Sequence, residues 1–577
     1  MAKTNSLLPP LNAKSGNTKP MGMFLQDTTL PELYEDYPFP LDEDYLFGTG
    51  SSKFLIRDAN ERDLPLYPGL SWDREQDLSF NHFKKKGLID NPQFHQVNTF
   101  TVLSHNQAWI EKEVGQQLVW RGRGPLVVRP HAFQGENAYY YANPQSLNFG
   151  YFSSPFRRAP VWTCLSHDVV SHEQGHAILD TFRPLFMHTM DSDTNALHES
   201  LADLLAMFSA LEHTDVVKQV YAETGGDMRH PCILTRFAEE FGTGVFGAGE
   251  PYLRSALEGP PYDKAPKEVH ARSTVWTATM YDLLEQLVDT AINHESRAVE
   301  GGFEEFSVVL SKAVKWIKGM LFRTFHYMPP TALSMPMLAR LIYEADVHVF
   351  PPKHAKFRDL AKEVFGSEKH RLWDEKIDLK APDVGADFGQ LKSTDPATLS
   401  RVIMKHAEDL RIPRGDSIRL LDPRLITTTR ESDEVDSEVQ RITEHYLEYA
   451  YEQIEVNRDP QTGDQVGVAM YGGGTLVMDE QWKAKILASY PEVRKDDPEG
   501  NAGTVRAWAR TRDRFIRSNR RAIEKNLTER DRPRNLKDPP VVPGCPVLLI
   551  APEVGPYHIT RRVCNLREHI LNIRYKR

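Results

Sequence analysis

A chain of 577 residues is long enough for about three or four domains and a sizeable core. Its 40% hydrophobic and 26% charged residues are those of a soluble globular protein, and a net charge of -10 argues against nucleic acid or an anionic membrane as partner of the whole molecule. The four cysteines, Cys164, Cys232, Cys545 and Cys564, are far apart and form no C-x-x-C, which argues against a disulfide framework or a zinc ribbon. Buried thiols are expected, although Cys545 and Cys564 flank a possible hairpin and could pair.

Met1–Leu8 has no long apolar stretch, so no secretory signal is expected, and no run approaches the length that spans a bilayer. The expected location is the cytoplasm, or outside the cell by a route that reads no signal peptide. Residues 1–25 are rich in Asn, Lys, Ser and Pro and read as mobile. Residues 27–47 interleave acids with Pro and the aromatics Tyr34, Tyr37, Phe39, Tyr45 and Phe47. They read as an extended arm wrapped on the body, with an inhibitory or gating segment as the other possibility. Lys84-Lys85-Lys86 reads as an exposed turn.

Val97–Val102 has the composition of a strand, leading into a helix through Trp109. Leu118–Trp120 and Leu126–Val128 are strand-like, with Arg121–Pro125 as the turn between them. Tyr139–Phe152 continues the β character. Helices are expected at about 166–182, 195–212, 271–292, 304–325 and 332–346.

The first of these helices carries His172-Glu173-Gln174-Gly175-His176, an H-E-x-x-H. Two histidines four apart share a helix face and can bind one zinc ion, with Glu173 beside them to hold an acidified water. The bland alternative is two solvated histidines on a surface helix. The second helix bears Leu197, Leu201, Leu204, Leu205 and Phe208 at helical spacing and carries Glu199 and Asp203 together on another face. Glu199 is the natural third ligand, which makes a His₂Glu set that keeps a position for water. Asp203 is placed to accept the free N–H of a ligand histidine.

These two helices resemble those of the thermolysin-like, or gluzincin, zinc metallopeptidases, in which H-E-x-x-H is followed by N-E-x-x-x-D. His198 stands here where the family has Asn, and the gap from His176 to Glu199 is a few residues longer. Glu136–Tyr141 with Leu147–Gly150 looks like the family's substrate-binding edge strand. Leu253-Arg254-Ser255 and Val269–Ser273 look like segments of its helical lobe. The resemblance covers about residues 96–375. It implies an α+β fold with a β-rich lobe, a helical lobe and the zinc site in the cleft between them. It also implies one zinc ion and a peptide or protein substrate, cut by hydrolysis at an internal bond.

By the same resemblance Asn137 and Ala138 pair with the peptide, and Arg254 holds the carbonyl of the residue after the scissile bond. Leu253 and Val169 line an apolar pocket for that residue, with Trp162 closing it. His270 is the second catalytic residue, oriented by Asp263 or Glu268. The family's oxyanion Tyr has no counterpart in Phe182–His188, where His188 is the substitute. Calcium is left open: Asp168 matches one family ligand, but Ala210 stands where a bridging Glu is expected, so the double calcium site is not expected.

Residues 376–577 read as a different unit of unknown role. Pro382–Ala386 looks like a linker, and Val435, Val439, Ile442, Tyr446 and Tyr449 form a helical stripe. Ile454–Val456 and Val466–Met470 flank Asp459–Asp464 as a hairpin. Arg506, Arg510, Arg514, Arg517 and Arg521 read as one face of a basic helix that is solvated or packs on a neighbour. Val547–Ile550 reads as a buried strand, and His569–Asn572 is undecided between strand and short helix. The expected divisions are an N-terminal extension (1–95), a β-rich lobe (96–165), a helical lobe (166–375) and an accessory domain (376–577). Two other functions are compatible with these residues: a catalytically silent binding protein of the same fold, and a zinc hydrolase of a non-peptide amide or ester.

Overall fold

A computed structural model describes residues 18–41, 49–70, 78–294 except 82, 190, 248, 250 and 251, then 302–349, 355–413, 418–433, 439–458, 465–496, 547–550 and 557–561. The fold is α+β. Strands β1 (Thr18–Phe24) and β2 (Tyr34–Pro40) form an antiparallel hairpin. Met21, Met23, Phe24 and Leu25 are fully buried. Residues 18–25 are therefore not a mobile tail: their apolar side chains are in the core, and the backbone is tied by Phe24 N–H to Asn98 Oδ1 (2.8 Å). The arm continues into the body, where His167 N–H donates to the Gln26 carbonyl at 2.7 Å. Lys84 and Lys86 are exposed, and the expected turn is a short 3-10 helix, Lys85–Leu88, that Lys84 precedes.

The Val97–Val102 run is helical, not extended. It lies inside α1 (Pro92–Val114), which starts at Asn91, whose side chain accepts the N–H groups of Gln93 and Phe94, with Pro92 in the first turn. Gly115 ends it in the left-handed conformation, φ 70°. The threonines that suggested a strand bond back to the turn before, Thr99 Oγ1 to His95 O and Thr101 Oγ1 to Val97 O, both at 2.8 Å. Those bonds offset the weak helix propensity of β-branched residues.

A mixed five-stranded sheet follows in the order β3 (Phe54–Ile56), β4 (Leu126–Gln134), β6 (Gln145–Phe152), β5 (Ala138–Ala142), with β7 (Val161–Trp162) also on β6. Leu118–Trp120 joins no sheet. The helices are α2 (His167–Phe182), α3 (Ser192–Ala210), α4 (Thr214–Thr224), α5 (Glu239–Phe246), α6 (Val269–His294), α7 (Gly302–Arg323), α8 (Met335–Val349) and α9 (Ala355–Gly366). The short strands β8 (Arg236–Phe237) and β9 (Arg254–Ser255) pair beside α5. Helices α4, α5 and α9 are additional to those expected. Among the described residues no helix is long and apolar enough to cross a membrane. Cys164 and Cys232 are free, buried thiols.

The expected linker is packed rather than free. Gly385 begins α10 (Gly385–Gly389), where a Cβ would come within 2.0 Å of the Trp482 carbonyl. Then come α11 (Pro396–Lys405) and a sheet built from β10 (Ile418–Leu420), β11 (Arg424–Asp433), β12 (Val439–Arg458), β13 (Gln465–Asp479), β14 (Ala484–Tyr490), β15 (Val547–Ile550) and β16 (Tyr557–Arg561). The expected hairpin is the β12–β13 pair, Arg458 facing Gln465, and Val547–Ile550 is the expected strand. The helical stripe is overturned: Val439, Ile442, Tyr446 and Tyr449 lie on β12. Residues 444–452 of that strand are buried on both faces, so its period-two signal is lost. Leu447, Tyr449 and Tyr451 join a core with Leu399, Leu410 and Leu476. Glu444, Tyr446 and Glu448 alternate with them and turn to the larger core around α2 and α7. Val435, Asp459–Asp464, Arg506–Arg521, Cys545, Cys564 and His569–Asn572 lie outside the described residues.

Two buried ion pairs join β12 to the helices. Arg183, at the end of α2, reaches Glu448 Oε1 at 2.6 Å, and Arg323, at the end of α7, holds Glu444 Oε2 at 2.8 Å. Tyr327 and Tyr446 hydroxyls also donate to Glu444, at 2.5 and 2.6 Å. Burial pushes the Glu444 carboxyl up, but Arg323 and Arg430 outweigh it and hold the group below its ordinary 4.5. A carboxyl depressed on folding contributes stability that is present above the unfolded value and lost as pH falls through the folded one. We therefore expect chemical denaturation of the wild type to show stability declining as pH falls below 4.5. Glu444→Ala should cost about 3–5 kcal/mol at pH 7, because it strands a buried arginine, and should flatten that acid dependence.

Candidate metal centre

Helix α2 starts at Ser166, with Asp168 in its first turn, where the helix dipole favours a negative charge. Helix α3 starts at Asp191, whose carboxylate accepts the Thr194 N–H at 2.9 Å. The two cross closely because Gly175 lies at the contact. A Cβ there would stand 2.7 Å from Ala202 Cα and 3.0 Å from Ala202 Cβ. This approach brings the H-E-x-x-H face of α2 against the Glu199–Asp203 face of α3.

The result is a buried cluster. One ligand atom from each of His172, His176 and Glu199 lies within 4.8 Å of the other two, so the group could hold a metal ion. His172 Nε2 is 3.7 Å from Glu199 Oε2, and His176 Nε2 is 3.8 Å from Glu199 Oε1. Behind them, His172 Nδ1 is 2.8 Å from Asp203 Oδ1, the contact expected of that residue. His176 Nδ1 is 2.8 Å from His198 Nδ1, so His198 orients the second imidazole. Both rings thus present Nε2 to Glu199, which is fully buried.

The charges fit a cation at this point. Burial pulls the His172 imidazole down, but its bonds to Asp203 and Glu199 win and hold it up to about 9. The site thus holds positive charge as a proton where a metal ion would compete for the same lone pair. Arg254, on β9, is bound to Asp203 Oδ1 at 2.6 Å and lies 3.8 Å from Glu199 Oε2. Glu173 is 2% exposed and accepts the Tyr140 backbone N–H of β5 at 2.8 Å. Burial pushes the Glu173 carboxyl up to about 7, with the Glu199 charge adding to this and His172 opposing it.

Strand β5 is an edge of its sheet. Tyr140 directs its N–H outward to Glu173, and Ala138, two residues away, presents its backbone on the same side. Asn137 does not continue that edge. Its N–H donates to the Gly135 carbonyl and its own carbonyl accepts from Gly150, both at 2.9 Å. His270, in the first turn of α6, pairs with Glu268 through Nδ1 at 2.8 Å, so Glu268 rather than Asp263 orients it. Leu253 and Val169 are buried, 6% and 3% exposed. Trp162 stacks on Tyr151, with centroids 4.8 Å apart. His188 packs edge-on against Tyr471 of β13. Asp168 is consumed by structure: its oxygens accept the N–H groups of Ala238 (2.6 Å) and Val169 (2.9 Å) and the Ser166 hydroxyl. Ala210 is the last residue of α3.

Sequence reading missed the Tyr140–Glu173 bond and the role of His198. The first is a contact between distant backbone and side chain with no local pattern. The second was visible only as a departure from N-E-x-x-x-D. No family model matches the chain, and no curated protein does.

Gly175→Ala tests the helix crossing. The added methyl meets backbone, so α2 and α3 must separate, which should cost about 1–3 kcal/mol in denaturant unfolding. Metal affinity, measured by competition with a chromogenic chelator, should fall with it.

Proposed function

We propose that this chain is a zinc-dependent endopeptidase of the thermolysin-like class, with the β3–β7 sheet and the helices from α2 onward as its two lobes. The observation that carries the reading is the convergence of His172, His176 and Glu199 from two helices, with Glu173 on the first helix tied to an edge strand. Zinc held by those three residues would supply a Lewis acid and a water of lowered pKa. Around it the protein has four tasks. Glu173 takes the proton of the attacking water and delivers it to the leaving amine. Burial suits it to this, since a carboxyl raised towards neutrality can both accept and release a proton. His270, held by Glu268, donates to the developing oxyanion. The outward side of β5 at Ala138 adds the peptide as a further strand, with the Asn137 side chain alongside.

Arg254 has five N–H donors, and Asp203 accepts from one of its terminal nitrogens. A second terminal nitrogen is the candidate for the carbonyl that follows the scissile bond. Leu253 and Val169 are apolar, so the side chain entering beside them loses water without gaining a charged partner. A Leu or Phe gains roughly 1.5–3 kcal/mol from such burial, and an Asp or Lys loses more than that.

The experiment is digestion of an unstructured protein with and without a chelator, with the metal content measured alongside. His172→Ala, His176→Ala and Glu199→Ala should each lose this ion. Glu173→Gln should keep it and lose turnover by about 10²–10⁴-fold. Wild-type cleavage by Glu173→Gln would overturn the mechanism. Retained zinc with no cleavage by the wild type on any peptide or ester would favour a silent binding protein.

Specificity is read by mapping cut sites in a peptide mixture by mass spectrometry. Cuts should fall before Leu, Ile, Val, Phe or Met, and Leu253→Asp should shift or abolish that preference. Dominant cutting before acidic or basic residues would show that the pocket lies elsewhere.

A further inference from the structure

A second group of histidines lies apart from H-E-x-x-H. His105 is in α1, His167 is the first residue of α2, and His213 immediately precedes α4. They are 9%, 0% and 3% exposed. One ring nitrogen of each lies within 4.8 Å of one from each of the others.

Hydrogen bonds occupy one ring nitrogen of His167 and one of His213. The Ser209 hydroxyl donates its one proton to Asn106 Oδ1, so it accepts from His167 Nε2–H, 3.2 Å away. His167 Nδ1 is then the bare nitrogen, and it has no hydrogen-bond partner. His213 Nδ1 is 2.7 Å from Glu35 Oε2, on β2. The carboxylate accepts there, which leaves His213 Nε2 bare and, again, without a partner. His105 Nδ1 is the third buried nitrogen with none. Each of the three imidazoles thus keeps one buried, partnerless ring nitrogen, in a group close enough to share one ion. Burying a polar atom without a partner is unfavourable, and a bound ion would relieve it.

The comparison within the same molecule is informative. His95, His131 and Cys164 also converge. There His95 Nδ1 meets His131 Nε2 at 2.8 Å, His131 Nδ1 meets Asp58 at 2.9 Å, and His95 Nε2 meets the Ile89 carbonyl at 2.9 Å. Every ring nitrogen is used, so that group is a closed hydrogen-bonded chain and not a ligand set.

We propose that His105, His167 and His213 form a second metal centre, which binds one divalent transition-metal ion of the zinc class. Neutral imidazoles suit zinc, cobalt, nickel or copper, and not calcium or magnesium, which take oxygen ligands. Glu35 behind His213 makes the carboxylate–histidine arrangement that commonly supports such a ligand. Because Glu35 belongs to the N-terminal hairpin, the ion fastens that hairpin to the first turn of α2. The centre is a structural one and stands whether or not the chain is a peptidase.

The test starts from His172→Ala/His176→Ala, which removes the first centre. After equilibration with Zn²⁺ and removal of loose metal, this variant should retain about one zinc per chain by mass spectrometry of the metal. Adding His105→Phe and His213→Gln should bring the content to near zero, with the fold checked by circular dichroism. A folded double variant that holds no zinc overturns the proposal, as does a quadruple variant that still holds its equivalent. If either variant fails to fold, Co²⁺ titration of His105→Phe/His213→Gln beside the wild type decides: saturation at about one ion fewer per chain than the wild type supports the second centre, and saturation at the same number overturns it.

Discussion

The approach of α2 and α3 at Gly175 and Ala202 sets the rest of the site. Two helices that meet through side chains of ordinary size lie 8–10 Å apart. A glycine against an alanine lets them come closer, and the residues flanking the contact are then forced into one another's company. Those residues are two histidines, two glutamates and an aspartate. Such a group is not tolerated in a core unless each charge meets an opposite charge or a proton. Arg254, His198 and the Tyr140 N–H are the partners the fold supplies, each from a different element. The geometry of the cluster is thus a consequence of backbone proximity, and its electrostatics follow from the burial that proximity imposes.

The legible parts of the molecule were those whose signals are local. The H-E-x-x-H spacing places two imidazoles on one helical face whatever the surroundings, and the apolar stripe through Leu197, Leu201 and Leu205 identifies the second helix. That helix begins three residues before the expected start, at the Asp191 cap. The misreadings share a cause. Thr99 and Thr101 look extended until their hydroxyls are seen to bond within α1. Ile442, Tyr446 and Tyr449 look helical because the strand they occupy is covered on both sides, so spacing in sequence no longer reports which face is wet.

Other features were beyond the reach of spacing. His105, His167 and His213 are separated by long stretches of chain and resemble no ligand pattern. Only the packing of the N-terminal hairpin, α1 and the starts of α2 and α4 brings them together. The bond from Tyr140 to Glu173 likewise belongs to the meeting of a sheet edge and a helix. Its donor is a backbone group that every residue type but proline possesses, so no choice of residue in the sequence could have announced it.

Arg183 stands at the end of the helix that bears His172, Glu173 and His176, and its partner Glu448 comes from a strand more than two hundred and sixty residues further on. Motif and partner are therefore mechanically continuous. A shortened chain ending before β12 would retain every residue of the candidate centre, yet would leave the guanidinium groups of Arg183 and Arg323 in an apolar interior without their carboxylates. The smallest piece that folds like the whole is then set by where the counter-charges come from and not by where the chemistry sits. In this molecule the apparent appendage is part of the foundation.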